Sequence, residues 1–160
     1  MEEVNREHPF GDMGQVILLV LFLVMWAGDS FLLHLSTFMS EYVPLGIRLF
    51  ISGAALIGGT YLLMSGHVAA HPERRPSGVI STGAFRYIRH PLYLGCILFY
   101  VGLSVSTASL LSLGLLVVIF PFYNYIACYE EKTLEEIFGQ EYGSYKERTG
   151  KWVPRICRGG

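Results

Sequence analysis

The stretch Ser77-Gly-Val-Ile-Ser-Thr-Gly-Ala-Phe-Arg-Tyr-Ile-Arg-His-Pro-Leu-Tyr-Leu-Gly95 carries more chemistry than a connector needs. Hydroxyls at Ser77, Ser81 and Thr82, together with Arg86, Arg89 and His90, crowd the approach to an apolar run whose first helical residue is Pro91. A helix start presents unpaired N–H groups, and proline is favoured at its first position. With Arg and His beside it, such an end suits a carboxylate or another anionic part of a polar ligand. Glu130 and Glu131 are the next acidic groups along the chain. They follow a hairpin of two apolar segments, which returns them to the face of His90. A cationic ligand group can meet a carboxylate there while an anionic group meets the helix end, a pairing that a partly dry site favours. The same residues also serve as interfacial anchors in membrane proteins, and spacing alone leaves both readings open.

The elements that must position these groups are apolar. The chain has 160 residues, 52% hydrophobic and 16% charged, with mean hydropathy +0.43, which is outside the range of an ordinary soluble domain. A spanning helix needs roughly 20 apolar residues to cross about 30 Å of hydrocarbon. Segments 16–35 and 45–64 meet that length, and the run from 92 to 129 folds at the polar stretch 104–109 into two more, 92–106 and 110–129. The expectation is an all-α polytopic membrane bundle of about four transmembrane helices, one domain over 1–160, with a cytoplasmic loop and a C-terminal amphipathic helix over about 130–148. In that last helix Leu134, Ile137, Phe138, Tyr142 and Tyr145 recur at helical spacing, with charges of both signs on the other faces.

Charge sets the expected orientation. Of 12 Lys and Arg residues, four lie in 65–90 and six in 130–160. By the positive-inside bias both segments face the cytoplasm, and two further spans put the N-terminus there as well. The acidic N-terminus, with Glu2, Glu3, Glu7 and Asp12, lacks the basic region of a signal peptide. A net charge of -1 argues against a nucleic-acid partner. Cys96, Cys128 and Cys157 show neither disulfide nor zinc spacing, so no metal is expected. No protein partner is evident; membrane lipids and a lipophilic small molecule or lipid substrate are the expected partners.

Within the apolar runs, Ala54 with Gly58 and Ala55 with Gly59 permit close helix contact. Arg48 reads as a snorkelling residue. Asp29, inside the first run, is either a structural polar contact, with His34 or a hydroxyl, or a site residue. Pro121 interrupts the last run before Tyr123, Asn124, Tyr125 and Tyr129, a polar end that can line a cavity or form an interfacial aromatic belt.

The ordered set Arg89-His-Pro-Leu-Tyr-Leu-Gly95, Glu130-Glu131, Phe138-Gly-Gln-Glu-Tyr142 with Tyr145, and Val153-Pro-Arg155 resembles the isoprenylcysteine carboxyl methyltransferases and their relatives, the membrane phospholipid N-methyltransferases. The resemblance covers about residues 66–156. It implies a helical membrane enzyme that uses S-adenosylmethionine without a Rossmann domain, holding it between loop, hairpin and C-terminal helix. By carry-over, Ser77, Gly78, Val79 and Ile80 contact the cofactor from the loop, Phe85 takes a usually aromatic position, and His90, Pro91, Leu92 and Tyr93 form the central contact. Glu130 holds the cofactor's polar end, and His90 and Glu130 are the implied catalytic pair. Two positions depart from the pattern. Ala70 stands where some relatives place a cofactor-contacting Gln, and Ile126 where prenylcysteine enzymes place an Arg that engages the substrate carboxylate. Arg86 or Arg155 can substitute for that Arg if the acceptor is a carboxylate; a lipid amine is the other acceptor left open.

The resemblance thus implies a methyltransferase acting on a lipophilic acceptor, either a prenylcysteine-like carboxylate or a lipid amine. Two alternatives share the same helical framework: a membrane lipid reductase using a nicotinamide cofactor, and a non-catalytic scaffold whose cytoplasmic loop binds a partner.

Overall fold

The computed structural model describes residues 11–70 and 78–155, with the side chains of residues 69 and 70 outside that description. Helix α1, Gly11–Ala27, runs on through a π-helical turn, Gly28–Leu33. A 3-10 turn at Thr37–Glu41 leads to α2, Leu45–Ala70. After a second 3-10 turn at Gly83–Arg86 come α3, Pro91–Thr107, α4, Leu110–Phe138, and α5, Gln140–Arg148. No strand occurs among the described residues. Apolar length decides which helices can cross a bilayer: α1 with its π turn, α2 and α4 are long and apolar enough, while α3, with 17 residues, is apolar but shorter. Their outer faces carry large apolar side chains, with Phe50, Ile57 and Val117 more than 70% exposed, as hydrocarbon rather than water requires. The chain is an all-α membrane bundle.

One expected boundary moves. The amphipathic helix anticipated over 130–148 is not a separate element, because α4 continues unbroken through Glu130 and Glu131 to Phe138. No Gly or Pro occurs between Tyr129 and Phe138, and Glu, Lys and Leu in that stretch are good helix formers, so the change from apolar to polar residues alters the solvent and not the backbone. The break falls at Gly139, whose φ of +50° a residue without Cβ adopts readily. Pro121 lies inside α4 without ending it.

Helices α2 and α3 pack backbone to backbone. A Cβ at Gly59 would lie 2.9 Å from the Gly95 carbonyl oxygen, and one at Gly102 would lie 2.8 Å from Leu56 Cγ. The Ser52 hydroxyl donates to the Gly102 carbonyl at 2.7 Å, locking the register. The contact face runs along Ser52, Leu56, Gly59, Leu63 and Gly66; of the two Ala–Gly pairs read from sequence, Gly59 is at the close approach, and a Cβ at Gly58 would lie 3.8 Å from Leu98. Phe22, Ile97, Tyr100, Ile119 and Tyr123 form the buried core that joins α1, α3 and α4.

At the end of the bundle near the α3–α4 turn, Asp29 is 1% exposed. Its carboxylate accepts from the Ser36 amide at 2.9 Å, the Ser36 hydroxyl at 2.5 Å and the Ser109 hydroxyl at 2.5 Å. Of the two readings left open for Asp29, the structural contact is the one observed, and hydroxyls rather than His34 supply it. Arg48 donates to the carbonyls of Val43 and Ser106, tying α2 to the same turn.

Candidate functional site

The opposite end of the bundle is built around Arg89 and His90. The Arg89 amide donates to the Gly150 carbonyl at 2.9 Å, and Ile88 pairs with Gly150, so the segment after α5 runs alongside the entry to α3. His90 is the N-cap of α3 with Pro91 first in the helix, as the sequence predicts. Both side chains are buried and meet the same oxygen of α4. Arg89 Nε lies 2.9 Å and His90 Nε2 lies 3.0 Å from Glu131 Oε1. The Arg89 guanidinium also donates to the carbonyls of Lys146 and Thr149, which ties the end of α5 to the same cluster.

Glu130, one residue earlier, faces differently. Its Oε1 accepts from the Tyr93 hydroxyl, and its Oε2 lies 3.6 Å from His90 Nδ1. The imidazole therefore stands between two carboxylates. Burial, the largest influence, holds its pKa below the usual value, against the opposing pull of Glu131. With Glu131 ionised, neutral His90 donates its Nε2–H to that carboxylate as a hydrogen bond, which leaves a lone pair on Nδ1. Tyr93 lies parallel to the imidazole at 5.7 Å between centroids, with Trp152 at 5.9 Å on a tilted approach. Trp152 is itself held by its indole N–H donating to Asn124.

Three cavities adjoin in this region. A central one of about 300 Å³ is lined by Phe85, Arg89, His90, Pro91, Leu92, Tyr93 and Glu130, with Ile126 on its wall and Asp12 and Gln15 contributed by α1. A smaller one of about 90 Å³ lies between Gly78, Val79 and Ile80 on the loop and Phe138, Tyr142 and Tyr145 on the last two helices; it shares Phe85, Arg89 and Leu134 with the first. The loop is pinned there by the Val79 amide donating to Glu141 Oε1 at 2.9 Å, and a Cβ at Gly78 would lie 2.6 Å from that same oxygen. The Tyr145 hydroxyl donates to the Phe85 carbonyl at 2.7 Å, fixing the aromatic side chain shared by both cavities. Burial raises the pKa of both Tyr142 and Tyr145, so each phenol stays protonated. A third cavity of about 320 Å³ is almost wholly apolar, bounded by α1, α2, α3 and α4 and joined to the central one at Gln15 and Cys96.

Every described residue of the predicted set lines one of the first two cavities; Ser77 lies outside the described residues. The predicted pairing of His90 with the acidic pair is present, but with a shift in partner: Glu131 makes the short buried contact, and Glu130 turns toward Tyr93. Sequence reasoning placed Arg89 and Glu131 among the polar groups of this end but gave neither a catalytic or cofactor-binding role, and here the two back His90 together. Neither Arg86 nor Arg155 lines any of these three cavities: Arg86 is exposed, and Arg155 donates to the Glu147 carbonyl. Ala70 is described only in its backbone.

A helical membrane bundle with a polar, partly buried pocket at one end, walled by a histidine, two carboxylates and aromatic rings, defines a class of small-molecule site set where helices meet polar loops. Residues 43–141 match the profile of the phospholipid methyltransferase family, and the chain belongs to that family. Among curated relatives, the protein-S-isoprenylcysteine O-methyltransferase of Saccharomyces cerevisiae is 31% identical over 91 residues, 56% of this chain and 38% of the relative. Protein-S-isoprenylcysteine O-methyltransferase A of Arabidopsis thaliana is 33% identical over 80 residues, 49% of this chain and 41% of the relative. Methanethiol S-methyltransferase 1 of Bradyrhizobium diazoefficiens is 34% identical over 70 residues, 44% of this chain and 24% of the relative. The chain thus spans less than half the length of these relatives. No solved structure matches it.

Proposed function

We propose that this protein is a membrane methyltransferase that takes its methyl group from S-adenosylmethionine and passes it to a lipophilic acceptor. The observation that carries the reading is the junction of a polar cavity, walled by His90, Tyr93 and Glu130, with an apolar one between α1, α2, α3 and α4. Family membership and the methyltransferase relatives support the same reading. The pocket fits such a donor: carboxylates at Glu130 and Asp12 suit its cationic groups, and Phe85, Tyr142 and Tyr145 offer faces for an aromatic ring. Gly78, Val79, Ile80, Phe85, His90, Pro91, Leu92, Tyr93 and Glu130 are the proposed donor contacts, and Ser77 is carried with them from the sequence. The positive-inside bias orients this end, with both termini, toward the cytoplasm.

The acceptor is best read as an amine. Ile126 lines the central cavity where a carboxylate acceptor would want a cation, and Arg89 is already engaged by Glu131 and two carbonyls. A carboxylate entering there would be repelled by Glu130 and Asp12, whereas a neutral amine meets no such repulsion. When bound, the donor would supply a sulfonium methyl, leaving as a neutral thioether when the acceptor nitrogen's lone pair forms the new bond. His90 Nδ1 or Glu130 takes the proton the amine sheds, each being held at the cavity wall by its own partner, Glu131 or Tyr93. Excluding water and fixing a line of attack are the larger contributions, worth up to roughly 7 to 11 kcal/mol for well-aligned reactants.

Labelled-methyl transfer by detergent-purified protein, with alkylamine and prenylcysteine acceptors side by side, tests the proposal. His90→Ala and Glu130→Ala should each lower transfer by at least a hundredfold, in keeping with the loss of a positioned acid–base group. Calorimetry should register S-adenosylmethionine and not a nicotinamide dinucleotide. Binding of the nicotinamide alone would favour a reductase, and binding of neither, with one stoichiometric protein partner retained, a scaffold.

A further inference from the structure

Helix α1 lies outside residues 43–141, yet it closes both large cavities. One of its residues, Gln15, lines the polar cavity and the apolar one together, and Cys96 is the other residue that does so. The remaining walls of the apolar cavity are Val16, Leu19, Leu63, Phe99 and two tyrosines. The hydroxyls of Tyr100 and Tyr123 and the Cys96 thiol interact with one another, which leaves them committed. The Gln15 amide has no hydrogen-bond partner among the described residues, although it is half-buried beside an apolar space. The amide is therefore open to the polar cavity and free to meet a ligand there. Its position is set by the residue before it. A Cβ at Gly14 would lie 2.4 Å from Phe122 Cζ, so α1 rests directly on α4 at this level.

We propose that Gln15 is the acceptor-selecting residue of this protein: its amide holds the polar end of a lipophilic acceptor at the junction, while the apolar cavity takes the acceptor's hydrocarbon part. The inference rests on the methyltransferase reading and adds to it a residue and a route. An amide carbonyl accepts from an amine N–H, and the amide N–H₂ donates to a neighbouring oxygen, so Gln15 can orient a neutral head group without binding it as an ion. A cavity of about 320 Å³ is at the small end of ligand pockets, which fits a single short chain rather than a multi-chain lipid body. Leu63 and Phe99, on its α2 and α3 walls, then limit chain length.

Two measurements on the full chain in detergent decide this. In the first, methyl transfer is followed with butylamine and dodecylamine while donor affinity is read separately by calorimetry with S-adenosylmethionine. Gln15→Leu should raise the acceptor KM roughly three- to tenfold, the factor expected for one neutral hydrogen bond, with donor affinity unchanged and partial recovery in Gln15→Asn. Leu63→Trp should reject dodecylamine while still accepting butylamine. In the second, a dodecylamine carrying a photoreactive group is crosslinked without donor. Labelling of the peptides bearing Gln15–Leu19 and Phe99, lost in Leu63→Trp, is the expected result. Unchanged acceptor KM in Gln15→Leu, or labelling equal in the plugged variant, would overturn the inference while leaving the methyltransferase reading intact. Failure of the unaltered protein to bind the donor at all would remove the reading on which it rests.

Discussion

Glu131 Oε1 lies 3.0 Å from Nε2 of His90, and the same oxygen takes the Arg89 Nε–H at 2.9 Å. The histidine at the pocket wall is therefore aimed from behind by a carboxylate that does not line the pocket, and that carboxylate is in turn neutralised by a buried guanidinium. This order of support makes the cluster sensitive at its back as well as at its face.

Glu131→Ala should destabilise the protein by about 3 to 5 kcal/mol, since removing one partner leaves the Arg89 charge buried without compensation. Thermal unfolding in detergent measures this. Glu131→Gln, which keeps an oxygen acceptor, should lie between Ala and the parent, and equal stability of all three would show that the pair is not coupled to folding.

Stability should fall as the medium becomes acidic below about pH 6.5, the ordinary imidazole range. Folded His90 titrates below that value because of burial, so the unfolded chain binds the proton first and stability is fully present only above the unfolded pKa. It is lost as pH drops through the folded value. His90→Gln should flatten this part of the curve of unfolding midpoint against pH, and an unaltered slope would assign the dependence to other groups.

Tyr93→Phe deletes the donor that holds Glu130 Oε1. We expect S-adenosylmethionine to bind about ten- to a hundredfold more weakly, as for the loss of one hydrogen bond to a charged group, with little change in unfolding temperature because the ring contacts with His90 and Tyr123 persist. Calorimetry separates this from a folding defect.

At Gly59 a Val side chain would meet the Gly95 carbonyl and Leu98, forcing α2 away from α3. Gly59→Val should cost about 1 to 3 kcal/mol, typical of overpacking. By contrast a Cβ at Gly53 would meet nothing within 4 Å, so Gly53→Ala should leave stability unchanged or raise it in the same unfolding assay.

Asp29→Ala leaves the Ser36 and Ser109 hydroxyls without their acceptor at the far end of the bundle. A loss of about 1 to 3 kcal/mol in stability follows from unsatisfied buried groups, while donor affinity should be unaltered because none of the site residues touches this network. A fall in donor affinity matching the fall in stability would contradict that separation.

Several features of this protein were legible in residue order alone. Runs of apolar residues near bilayer length announced the bundle, because a chain in hydrocarbon must satisfy its backbone internally and helices do so. Pro91 after His90 marked a helix start, since proline at the first position loses no hydrogen bond. The ordered motifs brought the loop, the hairpin and the acidic pair to one end. What residue order left open was direction. Glu130 and Glu131 are neighbours about 100° apart on one helix, and which of them meets His90 depends on the rotation of α4 against α3.

Other outcomes belonged to the tertiary structure for the same reason. Arg89 read as one basic residue among several, and only the approach of α4 and of Thr149 beside α3 turned it into a buried counter-ion. Gly95 sat within a chemical motif, yet its place against the Gly59 carbonyl is one of backbone packing. Gln15 carried no pattern at all, and its position between two cavities exists only because Gly14 lets α1 rest on Phe122. Composition and periodicity act locally along the chain, so they determine which segments become helices and which solvent they seek. The rotation and separation of those helices come from side chains that meet across the bundle, and it is these that decide which groups share a site.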